Sequence, residues 1–177
     1  MLRTAFKSGA FCAAALMLAG CGLGQTVTDA AVSATQTIFY KQIKTLRLDF
    51  WGREALNMDR RESSSPSQPV MVRVLQLRDR RGLDDAVYQQ LVDGGEALLG
   101  DALLASRAVV VKPGTAASLS MPMEAQAEYV AVVALFRDPD TQKDNWRLVL
   151  TREDLDPDKA RVIEVGERGL VLVAQKK

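Results

Sequence analysis

Two cysteines and no histidine leave little reactive chemistry in this sequence, and what there is centres on Cys21. Cys21 follows Leu18-Ala19-Gly20, which closes a short apolar run from about Gly9 to Met17. Arg3 and Lys7 precede that run. A basic start, an apolar centre and small residues before a cleavage point make a secretory signal. Ala19 and Gly20 let a peptidase approach the backbone, and the Cys21 thiol is the nucleophile that takes up a diacylglyceryl group. The pattern is that of a bacterial lipoprotein signal: residues 1–20 are removed and Cys21 becomes the lipidated first residue. The run is shorter than the roughly 20 apolar residues a membrane-spanning helix needs. A plain secretory signal would not require the cysteine. Gly22 stands where an aspartate would retain the chain in the inner membrane, so the expected destination is the outer membrane, facing the periplasm.

The other reactive side chains offer less. The lack of histidine removes the commonest general base, the Ser-His and Cys-His nucleophile pairs and the usual zinc sites. Asp138-Pro139-Asp140 with Asp144 resembles a calcium loop, but Lys143 stands at its sixth position and Val149 at its twelfth. A calcium hand needs glycine and glutamate there, so a solvated turn is expected and no metal. Glu153, Asp154, Asp156 and Asp158 cluster near a turn, where capping is their expected role. Thr35 and Ser118 are hydroxyls without an evident base. No enzyme and no cofactor are expected, apart from the covalent lipid on Cys21. Of 23 basic residues, Arg3 and Lys7 leave with the signal, against 22 acidic residues that all stay. The near-neutral remainder argues against nucleic-acid binding. Cys12 also leaves with the signal and Cys21 carries lipid, so packing without disulfides must hold the domain.

The elements that position these residues are mostly strands. Residues 21–36 are small and polar and read as a tether; residues 37–177 form one domain. Leu46, Leu48 and Phe50 alternate with Arg47 and Asp49, which predicts a first strand over Ile43–Trp51. Gly52 to Pro69 is a long stretch of turn chemistry, with Ser63, Ser64, Ser65, Pro66 and Pro69. A loop of that length in a small domain is functional or disordered. Within it, Ala55, Leu56 and Met58 are apolar and stand beside Arg60 and Arg61. They are expected at the surface, the alternative being that Leu56 and Met58 fold back onto the core.

Val70–Leu77 predicts a second strand, largely apolar on both faces and so interior to a sandwich. A helical insertion is expected over about 83–105, capped by Asp84 or Asp85, with Val87, Tyr88, Leu91 and Val92 on one face and a break at Gly94-Gly95. Strands then follow over 108–112, about 118–123 at an edge, 129–136 at the centre, 146–151, 161–165 and 170–174, the last two as a hairpin. Trp51, Trp146 and Tyr129 are expected in the core. About eight short strands with one helical insertion predict a mainly β protein, a β-sandwich.

The order of these pieces resembles the type VI secretion outer-membrane lipoproteins, the TssJ (SciN) family. The resemblance is carried by Cys21, by Ala55-Leu56-Asn57-Met58-Asp59, and by Pro69-Val70-Met71-Val72-Arg73-Val74-Leu75-Gln76-Leu77. Asp101-Ala102-Leu103-Leu104, Val111-Lys112-Pro113-Gly114, and Tyr129 to Asp138 followed by Trp146-Arg147 extend it over the whole domain. Met58 stands where the family commonly has proline, and Leu75 where it has tyrosine. The resemblance implies a transthyretin-like sandwich with a helical addition. It also implies a lipoprotein that binds the periplasmic C-terminal part of the inner-membrane protein TssM and, through it, joins TssL. The family's binding loop lies between the first two strands. That gives Ala55, Leu56, Asn57, Met58, Asp59, Arg60 and Arg61 as the implied partner-binding residues. Two other readings remain: a lipoprotein that binds a small ligand or carbohydrate on a sandwich face, and a lipid-anchored hydrolase, which the missing histidine disfavours.

Overall fold

The computed structural model describes residues 42–175, and the readings made for residues 1–41 lie outside them. Alternation in the sequence becomes two faces in the structure. In β1, Thr45–Gly52, the side chains of Leu46, Leu48 and Phe50 are buried while Arg47 and Trp51 are exposed. Period-two pleating requires this separation. Among the described residues eight strands form two four-stranded sheets. One sheet has the order β4-β1-β7-β8 and the other β3-β2-β5-β6. The remaining strands are β2 Val70–Leu77, β3 Leu103–Val111, β4 Ala116–Pro122, β5 Tyr129–Leu135, β6 Arg147–Thr151, β7 Arg161–Val165 and β8 Leu170–Leu172. All pairs are antiparallel except β1 with β7.

As expected, β2 and β5 are interior, and β5 buries every residue from Val130 to Ala134. β4 is an edge, ending at Pro122, whose missing N–H suits that position. Gln76 is fully buried in β2, where its side-chain amide donates to Pro122 O at 2.8 Å and accepts from Glu124 N at 2.7 Å. It thereby fastens one sheet to the end of the other.

The helical insertion follows β2. It comprises helices Arg81–Asp84 and Tyr88–Asp93 and a 3-10 segment Gly95–Ala102. It therefore begins and ends a little earlier than the expected 83–105, because β3 already starts at Leu103. Neither Asp84 nor Asp85 caps the second helix. Asp84 lies inside the first helix, paired with Arg80 at 2.7 Å, and the N–H of Val87 is held instead by Gln90 Oε1 at 3.0 Å. Leu83, Leu91 and Leu99 of the insertion are buried in the same core as Leu75, Leu77 and Val133 of the sheet. Tyr88 meets Trp146 edge-on, with centroids 5.1 Å apart, and its hydroxyl donates to Phe136 O at 2.5 Å.

The aromatic expectations divide. Trp146 is buried, at 2% exposure. Tyr129 is only half-buried, at the outer end of β5 beneath the Arg80 guanidinium. Trp51 is 50% exposed, which corrects its assignment to the core. With Leu46, Leu48 and Phe50 turned inward, the pleat turns Trp51 outward. Its neighbours across the sheet are Ala116 on β4 and Glu164 on β7.

Candidate functional site

The stretch from Arg53 to Pro69 crosses from one sheet to the other, and it is tightly pinned. Its base rests on Gly52. A Cβ there would collide with the Lys112 carbonyl and come within 3.3 Å of Leu56. The bare backbone of Gly52 is thus the seat of the Leu56 side chain, next to Val111. Leu56 is fully buried. This corrects its placement at the surface: among the residues expected to meet a partner, it is part of the core. Burial of a leucine contributes about 1.5–3 kcal/mol, which offsets part of the cost of ordering the loop.

Asn57 and Asp59 also turn inward, at 4% and 6% exposure. Asn57 has φ 51°, a left-handed conformation that asparagine tolerates better than most residues. Its amide donates to Pro69 O at 2.9 Å and accepts from Arg137 N at 2.7 Å. Asp59 Oδ1 accepts from Arg61 N at 3.0 Å and from Arg61 Nε at 2.8 Å, and Oδ2 meets Arg61 Nη2 at 2.6 Å. Ser65 Oγ accepts from Asp59 N at 2.7 Å, and Ser67 Oγ donates to Glu54 O at 2.6 Å. The serines are therefore ties within the loop.

The hydrogen bonds from Arg61 hold the Asp59 carboxyl at about 2, below its usual 3.8. A depressed carboxylate stabilises the fold fully above its unfolded value and loses that contribution as pH falls through the folded one. The loop is therefore expected to stay closed at pH 5 and above and to loosen between about pH 4 and pH 2. Amide exchange of residues 58–65 measured across that range checks it. Equal protection at pH 5 and pH 2.5 would show that the Asp59–Arg61 pair does not hold the loop.

What the loop presents outward is a smaller set than the sequence suggested. Ala55, Arg60 and Arg61 are exposed and Met58 is half-buried. Two neighbouring turns join them. Arg137 pairs with Glu62 at 2.5 Å, and Arg60 approaches Asp138 at 3.5 Å. Arg168, in the β7–β8 hairpin, reaches Asp138 at 3.0 Å and donates to the carbonyls of Asp138 and Pro139. These charges surround an open, polar cleft of about 440 Å³ lined by Arg60, Asp138, Asp140, Lys143 and Arg168. Arg137, Asp138 and Arg168 were not singled out as part of this end. They lie about 80 and 110 positions from the loop, and only the pairings of β5 with β2 and of β7 with β1 bring them to it.

The carboxylates weighed as metal ligands have other partners. Asp138 and Asp140 face Arg168, and Asp144 pairs with Arg147 at 2.8 Å. Asp154 accepts from Thr151 N at 2.7 Å, and Asp156 from the backbone of Asp158 and Lys159. These are turn and capping contacts. Ser118 does have a carboxylate beside it, donating to Asp49 Oδ1 at 2.7 Å across β1 and β4. A carboxylate is too weak a base to activate a serine hydroxyl.

A family model described as "Type VI secretion lipoprotein, VasD, EvfM, TssJ, VC_A0113" matches residues 44–168. The chain is 38% identical to a chain in the structure described as "T6SS protein TssM C-terminal domain (869-1107) from EAEC". That match covers 75% of this chain and 100% of that one, with a TM-score of 0.67. It is 39% identical to a chain in the structure "Type VI membrane complex", with the same coverage and a TM-score of 0.69. Its fold is also that of Serratia marcescens Lip, described as "a membrane bound component of the Type VI Secretion System" (24% identity, TM-score 0.63, covering 74% of this chain and 98% of that one). A comparison with curated proteins finds no match.

Proposed function

The chain belongs to the type VI secretion lipoprotein family, and on that premise we propose that it is a structural component of the secretion membrane complex, fixed at one end by lipid and at the other by a protein partner. The partner is TssM, through its periplasmic C-terminal part, and TssL is joined indirectly. The observation that carries this is the likeness, at 38% and 39% identity over the whole of the matched chains, to chains in structures named for the TssM C-terminal domain and the membrane complex.

The lipid is attached at Cys21, and the domain hangs from the outer membrane into the periplasm. Gly22 and the small residues before Cys21 support that reading. Among the described residues no helix is long and apolar enough to cross a membrane. The work is mechanical rather than catalytic.

The partner meets the outward residues of the loop, Ala55, Met58, Arg60 and Arg61, while Leu56, Asn57 and Asp59 hold them in place. Trp51 adds an aromatic anchor at the base of the loop. It stands between Ala116 and Glu164, and Glu164 pairs with Arg53 at 2.6 Å. An exposed aromatic beside a charged pair suits a protein interface.

Binding of the full chain to the periplasmic C-terminal domain of its inner-membrane partner tests this. Met58→Asp and Trp51→Ser are each expected to weaken binding by at least about tenfold, with the melting temperature within a few degrees of the unaltered chain. Undiminished binding by both variants would move the interface off this end of the sandwich. No binding by the unaltered chain would reject the function.

A further inference from the structure

Asn57 does more than fill a left-handed position. Its side-chain amide reaches the residue that leads into β2, by donating to Pro69 O at 2.9 Å. It also reaches the residue just beyond β5, by accepting from Arg137 N at 2.7 Å. Its own N–H points to Gly166 O, just past β7, at 3.4 Å. One residue, 4% exposed, therefore holds strand ends from both sheets: its side chain ties β2 and β5 of one, and its backbone N–H reaches β7 of the other. Among ordinary residues asparagine combines a neutral donor and acceptor on one short side chain with tolerance of the left-handed backbone. Aspartate lacks the donor, and glycine lacks both groups.

Met58 follows Asn57 directly, so the backbone angles of Asn57 aim it. Arg61 is held on Asp59, whose N–H is in turn held by Ser65. Met58, Arg60 and Arg61 are thus presented by a segment whose geometry is set from below.

We propose that Asn57 is the positioning residue of the partner-binding surface: its amide, bonded at once to Pro69 and Arg137, fixes Met58, Arg60 and Arg61 in the conformation that the inner-membrane partner binds, while touching no partner atom itself. The proposal rests on the loop being the binding site, as inferred above. Its physical basis is preorganisation. A loop already held in its bound geometry loses little conformational entropy on association.

The test uses the full chain purified in detergent, with hydrogen exchange read by mass spectrometry beside affinity for the partner's periplasmic domain. Asn57→Gly keeps the backbone angle allowed and removes both side-chain bonds. Exchange over residues 58–65 is expected to quicken by about tenfold, with peptides of β5 unchanged. Affinity is expected to fall by a similar factor. Asn57→Asp keeps the acceptor for Arg137 N–H and loses the donor to Pro69, and is expected between the two on both readouts. Met58→Asp is expected to lower affinity without quickening exchange, since it alters the contact and not the latch.

Unchanged exchange in Asn57→Gly and Asn57→Asp would overturn the latch. Faster exchange with unchanged affinity would overturn the positioning role. If the unaltered chain does not bind, the proposed function fails and the positioning role with it, and exchange alone then reports whether the amide holds the loop.

Discussion

Leu56→Asp is expected to lower the stability of the domain by about 4 kcal/mol or more, a larger effect than any change at the outward residues of the same loop. Leu56 is fully buried and sits on the backbone of Gly52, beside Val111. A carboxylate there has no cation to meet and no water to reach. It must either bury its charge, take up a proton at a cost in free energy, or drag the loop away from the sheet. The last would also expose Gly52 and Val111 and break the ties of Ser67 and Asn57. A fall in melting temperature of at least about 10 °C follows for a domain of this size. Met58→Asp, two residues away, is expected to leave the melt nearly unchanged, because Met58 is half-buried and stands on the presented side. Thermal melts of the two variants side by side check this. Equal stability of Leu56→Asp and the unaltered chain would mean that Leu56 leaves the core readily enough to serve as a surface anchor.

Cys21→Ser is expected to abolish metabolic labelling by palmitate and to remove the chain from the outer-membrane fraction. A serine hydroxyl forms no thioether with the diacylglyceryl donor, and the signal before it is no longer a substrate for lipoprotein processing. Each buried methylene of an acyl chain contributes about 0.8 kcal/mol to membrane binding, and two chains suffice for stable anchoring. Loss of the lipid therefore removes far more free energy than any single contact of the folded domain supplies. Gly22→Asp is the companion variant. It leaves the lipid in place and is expected to hold the chain in the inner membrane. Fractionation on a density gradient reads both. A Cys21→Ser chain still found with the outer membrane would reject lipid as the anchor. Unaltered sorting of Gly22→Asp would reject Gly22 as the determinant of destination.

The two sets of experiments separate the ends of the molecule. On the proposed function, lipid chemistry at Cys21 decides where the chain is. On the same reading, the loop end of the sandwich, with Trp51, Met58, Arg60 and Arg61, decides what it holds. Failure of one leaves the other testable.

The sheets were legible because their cause is local. Alternation in residues 46–50, the alternating valines of β2 and the apolar run of β5 each specify a strand and its buried face without reference to the rest of the chain. Pro113-Gly114 and the glycines at 166 and 169 mark turns by the same local logic. The helical insertion was legible in kind and less so in its caps. Val87 precedes the second helix where a capping aspartate was expected, and Gln90, at the third helical position, reaches back to the Val87 N–H; only the path of the chain between the two short helices determines this.

The loop shows where a linear reading stops. Its length and turn chemistry left it functional or disordered, and composition cannot tell an apolar residue that waits for a partner from one that has found the core. Leu56 and Met58 look alike in sequence. The bare backbone at Gly52 buries the first, and the left-handed turn at Asn57 sends the second outward. Trp51 is the reverse case: an aromatic in a strand that belongs in the core by type and stands outside it by pleat.

The sequence by itself determined the strands, the sandwich and the want of a histidine-based catalytic apparatus, because each depends on residue type and short-range spacing. Only the tertiary structure decided which residues of the loop face outward, and that Arg137, Asp138 and Arg168 share their surface. Those outcomes depend on which strand ends converge, and β5 and β7 deliver their following residues to the loop through pairings between positions far apart in the chain, which local pattern does not encode.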